Sequence, residues 1–342
     1  MLALAHHLIG EAGAVGVSRE ADRRPETHAA TVAPTPRACA AFGLPPQRRR
    51  VDVATAMRPL GRASRHSEPA GARVLESQPT EGAAIMGTPS ATGALRIARV
   101  DHEEAMQIAA TENDRVGELV RALGPGDWDV DTDCTDWTVR DVVVHLIAAA
   151  EAQASPVEFA RQVRAGRPLT RQIGGQHWVD GLNESQLRAR RAWTPEELPR
   201  RWTTAAAAAL RARRRMPALL RALPVLPLGS GLGTHLGWKP VGYLFDMGFT
   251  RDAWMHRVDL ARAVGRPLVL TPEHDGRIVA DIVAEWAIRH GEPCTLDLSG
   301  PAGGRYVAGT GGEHVAMDAI ESCRILSGRG YGEGVLRHKL PL

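Results

Sequence analysis

Asp252 and His256 stand one helical turn apart inside an apolar stripe, and no other feature of the chain restricts its fold as tightly. On a 3.6-residue period Phe245, Phe249, Asp252, His256, Leu260 and Ala263 fall on one helix face. A carboxylate and an imidazole that continue such a stripe are directed inward. Burying a carboxylate is costly unless it is paired or ligated. His145 repeats the situation about a hundred residues earlier, sharing a face with Val142, Ala149 and Ala152, whose small side chains leave room beside the ring. Singly, a histidine on an apolar helix reads as a satisfied core residue, and an exposed Asp-x-x-x-His pair as a weak salt bridge. Together, on separate helices of one bundle, His145, Asp252 and His256 point to a shared divalent metal. Three protein ligands with an open coordination position describe a catalytic site better than a closed structural one. Asp141 lies one turn before His145 and Asp259 three residues after His256, and either could orient an imidazole through its other nitrogen.

Helices are expected around these residues. One runs from His102 to Leu123 and closes at Gly124-Pro125-Gly126. A second opens at Thr138, with Asp141 in the acidic third position of a capping box, and stops before Pro156. A polar, arginine-rich stretch follows. Thr194-Pro195-Glu196-Glu197 then starts a helix with proline in its first turn that ends before Pro224. Leu223 to Pro240 reads as a loop. Its Gly229-Ser230-Gly231-Leu232-Gly233 has neither a preceding strand nor the Gly-Lys-Ser/Thr of a phosphate cradle. The helix of Asp252 and His256 spans Val241 to Val264. Beyond it come a helix from Thr271 to His290, strands at Cys294–Leu298 and Arg305–Ala308, and a helix over Ala316–Leu326. The expected organisation is a helical bundle over residues 97–265 and a small α+β domain over 266–342. Residues 1–96 are rich in Ala, Arg, Pro and Gly without sustained periodicity. They read as a disordered extension, or as a stretch upstream of a true start at Met86.

Composition narrows the partners. The chain has 342 residues, enough for about two domains. Its net charge of +3 arises in residues 1–95, where eleven arginines face eight acidic residues; the remainder is balanced. A neutral folded part gives no electrostatic ground for nucleic acid or an anionic membrane as partner and favours a small molecule. Only Lys239 and Lys339 are lysines among 42 basic residues, a bias typical of a GC-rich genome. Cys39, Cys134, Cys294 and Cys323 form no C-x-x-C pair, which argues for a reducing compartment and a cytoplasmic location. Cys134 reads as structural. The first ten residues lack a basic region and a long apolar stretch, so no secretory signal is expected, and no apolar run approaches a membrane span.

The segments Cys134-Thr135-Asp136-Trp137-Thr138-Val139-Arg140-Asp141-Val142-Val143-Val144-His145-Leu146 and Trp254-Met255-His256-Arg257-Val258-Asp259-Leu260-Ala261-Arg262-Ala263-Val264-Gly265 resemble the two signatures of the mycothiol-dependent maleylpyruvate isomerase family. That family lies within the DinB-like superfamily of metal-binding four-helix bundles. Leu296 to Pro301, Gly309 to Gly312 and Leu326 to Arg329 resemble the C-terminal domain of many members, so the likeness covers about residues 100–342. It implies a mainly α protein with a small α+β tail, and a divalent metal, usually zinc, on His145, Asp252 and His256. The isomerase has Glu where this chain has Asp252, shorter by one methylene. The likeness further implies an actinobacterial enzyme that uses mycothiol on a small electrophile, since a metal favours thiolate over thiol. Addition to an activated alkene, bond rotation and departure of the sulfur give cis–trans isomerisation; stopping at addition gives S-transfer. Arg324 or Arg329 would grip a substrate carboxylate. The competing reading is a non-catalytic protein that holds a small ligand or a partner on the same bundle. Self-association, if any, would be a homodimer through bundle faces.

Overall fold

The computed structural model describes residues 97–175, 177–227 and 238–340; the expected extension over 1–96, the start at Met86 and the Gly229–Gly233 stretch lie outside them. Local capping sets the first two helices. Asp101 accepts from the Glu104 amide at 2.9 Å and begins α1 (His102–Ala122). Thr138 and Asp141 form the reciprocal box that begins α2 (Val139–Ala154). Ser155 then ends α2 and, with Pro156 in the first turn, starts α3 (Pro156–Gln172). The polar, arginine-rich stretch is therefore helical: α3 is followed by α4 (Trp178–Ala189). A 3-10 turn at Pro195–Glu197 leads into α5 (Leu198–Arg214), and α6 (Ala218–Ala222) is short.

Two short strands fall inside the Leu223–Pro240 stretch read as a loop. β1 (Pro224–Pro227) pairs antiparallel with β2 (Trp238–Pro240). A π-helical turn at Tyr243–Gly248 enters α7 (Phe249–Ala263), and another at Pro272–Gly276 enters α8 (Arg277–His290). β3 (Cys294–Ser299) is the middle strand of a three-stranded sheet, antiparallel to β4 (Gly304–Ala308) and parallel to β5 (Glu313–Asp318). The sequence reading placed a helix from Ala316. The strand instead continues to Asp318, whose carboxylate caps α9 (Ala319–Leu326). Gly309, Gly311 and Gly312 take φ of +69°, +73° and +84° in the turn between β4 and β5, a region costly for other residues.

Helices α1, α2, α5 and α7 make the four-helix bundle, with α2 against α5 and α1 against both α5 and α7. One apolar core lies within it, from Val116 and Val120 through Trp137, Val142, Val143 and Ile147 to Trp202 and Leu260. The second core runs from Ala105 and Met106 of α1 through Trp254, Met255 and Val258 of α7 to Ile282, Leu296, Cys323 and Leu326. Residues on either side of position 265 thus share that core, and α7 is a wall of both. Every residue from Thr250 to Ala261 is buried.

Helices α3 and α4 form a hairpin against α2, and the two cross at glycines. A Cβ at Gly181 would stand 2.2 Å from the Gly166 carbonyl oxygen and 2.2 Å from Thr170 Oγ1. Gly181→Ala is expected to force the two helices apart and to cost roughly 1–3 kcal/mol, read as a lower urea midpoint.

Candidate metal centre

The two halves of the site come from α2 and α7. His145 sits near the middle of α2, and Asp252 and His256 occupy successive turns of α7. All three are buried, with relative exposures of 3%, 4% and 0%. His145 Nε2 is 3.7 Å from one Asp252 oxygen, and His256 Nε2 is 3.6 Å from the other. These separations exceed hydrogen-bond length. His145 Nε2, Asp252 Oδ1 and His256 Nε2 are buried polar atoms with no hydrogen-bond partner. Three unsatisfied ligand atoms facing a common point are costly for a protein and suit a cation. Two ligands each about 2.1 Å from a tetrahedral zinc ion stand about 3.4 Å apart, close to the spacing here. The residues present therefore fit a divalent metal.

Each imidazole is held through its other nitrogen. His256 Nδ1 faces Asp259 Oδ2 at 3.1 Å. Asp259 is in turn gripped by Arg329, whose Nε and Nη2 reach its carboxylate at 2.8–3.0 Å. His145 Nδ1 faces Gln186 Oε1 of α4 at 2.8 Å. Asp141, one turn before His145, does not take that place. Its carboxylate accepts from the Thr138 amide and hydroxyl and is occupied in the helix cap. Asp136 takes φ +66°, the one left-handed non-glycine backbone among the described residues, in the turn before Trp137. The Trp137 ring lies 5.1 Å from that of His145 and stacks at 6.3 Å on that of His256, walling the site.

Both candidate substrate-binding arginines are paired with carboxylates of the chain; Arg324 is buried, and Arg329 is half-buried with a side chain only 5% exposed. Arg324 donates to Asp133 at 3.0 Å and to Glu321 at 2.6 Å, and Arg329 is held on Asp259. In these positions they fasten the tail to the bundle, because a buried guanidinium requires its counter-charge. The sequence reading missed Gln186 because it lies in the polar, arginine-rich stretch to which no helix was assigned. Trp137 was visible in the motif, but nothing in the sequence aims its ring.

A second group, Cys134, His256 and Asp259, also brings metal-ligating atoms together. Here hydrogen bonds already serve the atoms: Cys134 Sγ lies 3.3 Å from Asp259 Oδ2 and 3.7 Å from His256 Nδ1. The orphaned set on the Nε2 side is the better ion site. A narrow cleft beside Asp252, lined by Leu146, Ala149, Gln153, Arg213 and Phe249, holds about 20 Å³, room for a water molecule.

The electrostatics favour positive charge. Burial opposes ionisation of Asp252, but His256, His145 and Arg329 hold its carboxyl below the usual range. Burial likewise opposes ionisation of Asp259, and Arg329 and His256 hold its carboxyl well below the usual range. Burial works against a charged His256, yet the Cys134 sulfur, Asp252 and Asp259 raise it to about 10. Elsewhere the Arg161 guanidinium holds Glu158 at about 2, and Arg257 depresses Asp275 against its burial. Carboxyls depressed in the folded state stabilise it above their unfolded pKa, near 4, and that stability is lost as pH falls through the folded values. The urea midpoint is therefore expected to be steady from neutral pH down to about 5 and to fall progressively below about 4. A midpoint that rose as pH fell below about 4 would contradict these ion pairs.

Residues 109–261 match the family model described as the mycothiol maleylpyruvate isomerase N-terminal domain. Two solved structures are similar. One is a mutant of the mycothiol-dependent maleylpyruvate isomerase (16% identity, TM-score 0.46, covering 68% of this chain and 93% of that one). The other carries the same name without the mutation (16% identity, TM-score 0.45, 70% and 94% covered). Among curated proteins none matches. No helix of the described residues is long and apolar enough to cross a membrane. Over residues 109–261, then, the chain is similar to the mycothiol maleylpyruvate isomerase N-terminal domain.

Proposed function

We propose that the chain is a divalent-metal-dependent enzyme that uses mycothiol on a small electrophile, by cis–trans isomerisation or S-transfer, in the cytoplasm. The observation that carries this reading is the convergence of three buried ligand atoms without hydrogen-bond partners on one point. His145, Asp252 and His256 would hold the ion, zinc in the first instance, through His145 Nε2, His256 Nε2 and an Asp252 oxygen. The ion would stabilise the thiolate of a bound thiol at neutral pH. The chain's own residues do the rest. Asp259 and Gln186 fix the imidazole planes, Trp137 shields the histidines from water, and Arg329 neutralises Asp259 so that the histidine pair carries no excess negative charge behind it. The cleft between α2, α5 and α7 leaves room for one water molecule beside Asp252.

The test is a zinc-loaded full chain given mycothiol with maleylpyruvate or another activated alkene. A shift of the alkene from cis to trans with mycothiol recovered identifies an isomerase; mycothiol consumed one for one with the electrophile identifies a transferase. Either activity should vanish with a chelator and in Asp252→Ala. Full activity in the chelated protein would overturn the reading.

A further inference from the structure

Behind His145 a chain of side-chain amides runs from the candidate metal site to the outside of the bundle. His145 Nδ1 meets Gln186 Oε1 at 2.8 Å, and Gln186 Nε2 meets Gln162 Oε1 at 2.8 Å. Gln162 Nε2 then divides between the Ala148 carbonyl and Glu158 Oε1, both at 2.9 Å. Gln162, Gln186 and His145 are buried, with exposures of 1%, 2% and 3%. Gln186 comes from α4, Gln162 from α3 and Ala148 from α2, so the hairpin that the sequence concealed is what carries the chain.

The polarity of this chain is forced from its outer end. A backbone carbonyl can only accept, and so can a carboxylate. Gln162 must therefore turn its NH2 toward Ala148 and Glu158, which leaves its oxygen toward Gln186. Gln186 must answer with its own NH2, which leaves its oxygen toward His145. An oxygen at Nδ1 requires a proton there, so the lone pair of the neutral ring is confined to Nε2, the atom aimed at Asp252. Glu158 is anchored as an acceptor by Arg161 and Arg190, which donate to it at 2.6 and 2.9 Å.

We propose that Gln162 and Gln186 are positioning residues that fix His145 as its Nδ1–H tautomer and so prepare Nε2 as a metal ligand. Asp259 performs the same service for His256 as a carboxylate. The two histidines thus differ in what stands behind them, a neutral amide on one side and an arginine-compensated carboxylate on the other. A carboxylate in place of Gln186 would add a further buried negative charge beside the site; an amide sets the tautomer without it. The inference rests on the metal reading for its purpose, but its polarity argument does not depend on metal.

The first experiment is made on the full chain without added metal, by 15N-histidine labelling and long-range proton–nitrogen correlation at mildly alkaline pH. His145, assigned by its loss in His145→Gln, should show a protonated Nδ1 and a bare Nε2. A protonated Nε2 with a bare Nδ1 would overturn the proposal, whether or not zinc binds. The second is zinc affinity by competition with a chromophoric chelator. Gln186→Leu should weaken it by roughly 10–100-fold, the range for removal of a group that orients a ligand, with a native circular dichroism spectrum. Its Co2+ absorption bands should also shift. A folded Gln186→Leu with unchanged affinity and unchanged bands would overturn the positioning role. If Gln186→Leu does not fold, the tautomer in the unsubstituted chain still decides. Failure of zinc to bind at all, with the Nδ1–H tautomer present, would count against the metal reading and leave the relay standing.

Discussion

Replacing Asp252 with alanine is expected to lower divalent-metal affinity by more than about 100-fold, beyond the range for loss of an outer partner. Asp252 supplies the carboxylate that lies 3.6–3.7 Å from both histidine Nε2 atoms, so its loss separates the two imidazoles electrostatically as well as removing a ligand. The fold should survive. His145 and His256 keep Gln186 and Asp259, and α7 retains Trp254, Met255 and Val258 in its core. Asp252→Glu, one methylene longer, should recover much of the affinity, because it restores a carboxylate ligand. Competition titration with zinc reads both variants, and circular dichroism checks the fold. Tight zinc binding by a folded Asp252→Ala would place the ion elsewhere, with the Cys134, His256 and Asp259 group the next candidate.

The second large effect concerns stability and lies one turn away on the same helix. Arg257 donates to both oxygens of Glu112, at 2.7 and 3.2 Å, and to Asp275 at 2.7 Å. Glu112 also meets His274 Nε2 at 2.8 Å, while Asp275 accepts from Trp254 Nε1 at 3.0 Å and pairs with Arg115. The network joins α1, α7 and the turn before α8. Arg257, Glu112 and Asp275 are exposed by 2% or less. Arg257→Met keeps much of the side-chain volume but leaves two buried carboxylates short of a counter-charge. The expected cost is about 3–5 kcal/mol in urea unfolding. A change within about 0.5 kcal/mol, the usual size for a surface substitution, would show that His274 and Arg115 compensate fully.

The parts of this fold that were legible in the sequence are those fixed by local chemistry. Thr138 and Asp141 announce the start of α2, and the spacing of Asp252, His256 and Leu260 announces both a helix and its buried face. Helices α3 and α4 were hidden because their contact is made by Gly166, Gly181, Gln162 and Gln186 rather than by an apolar stripe, and because α3 carries Pro168 in its interior. β5 escaped notice because parallel pairing with β3 makes it a strand, and that pairing is non-local. The candidate site divides along the same line. His145, Asp252 and His256 follow from helical periodicity, and Asp259 from its distance to His256. Gln186 and the Arg329–Asp259 pair join residues 41 and 70 positions apart, which periodicity within one helix does not connect. Asp141 was read as a partner of His145 from spacing alone, but the same spacing serves the capping box, and the cap holds it.

The most direct measurement is the metal content of the purified full chain, by mass spectrometry after incubation with zinc and removal of excess ion. The site predicts about one zinc per chain, lost from folded His145→Ala, Asp252→Ala and His256→Ala alike. A folded chain that retains no zinc, or that retains it undiminished in all three variants, would contradict the assignment of these residues as a metal centre.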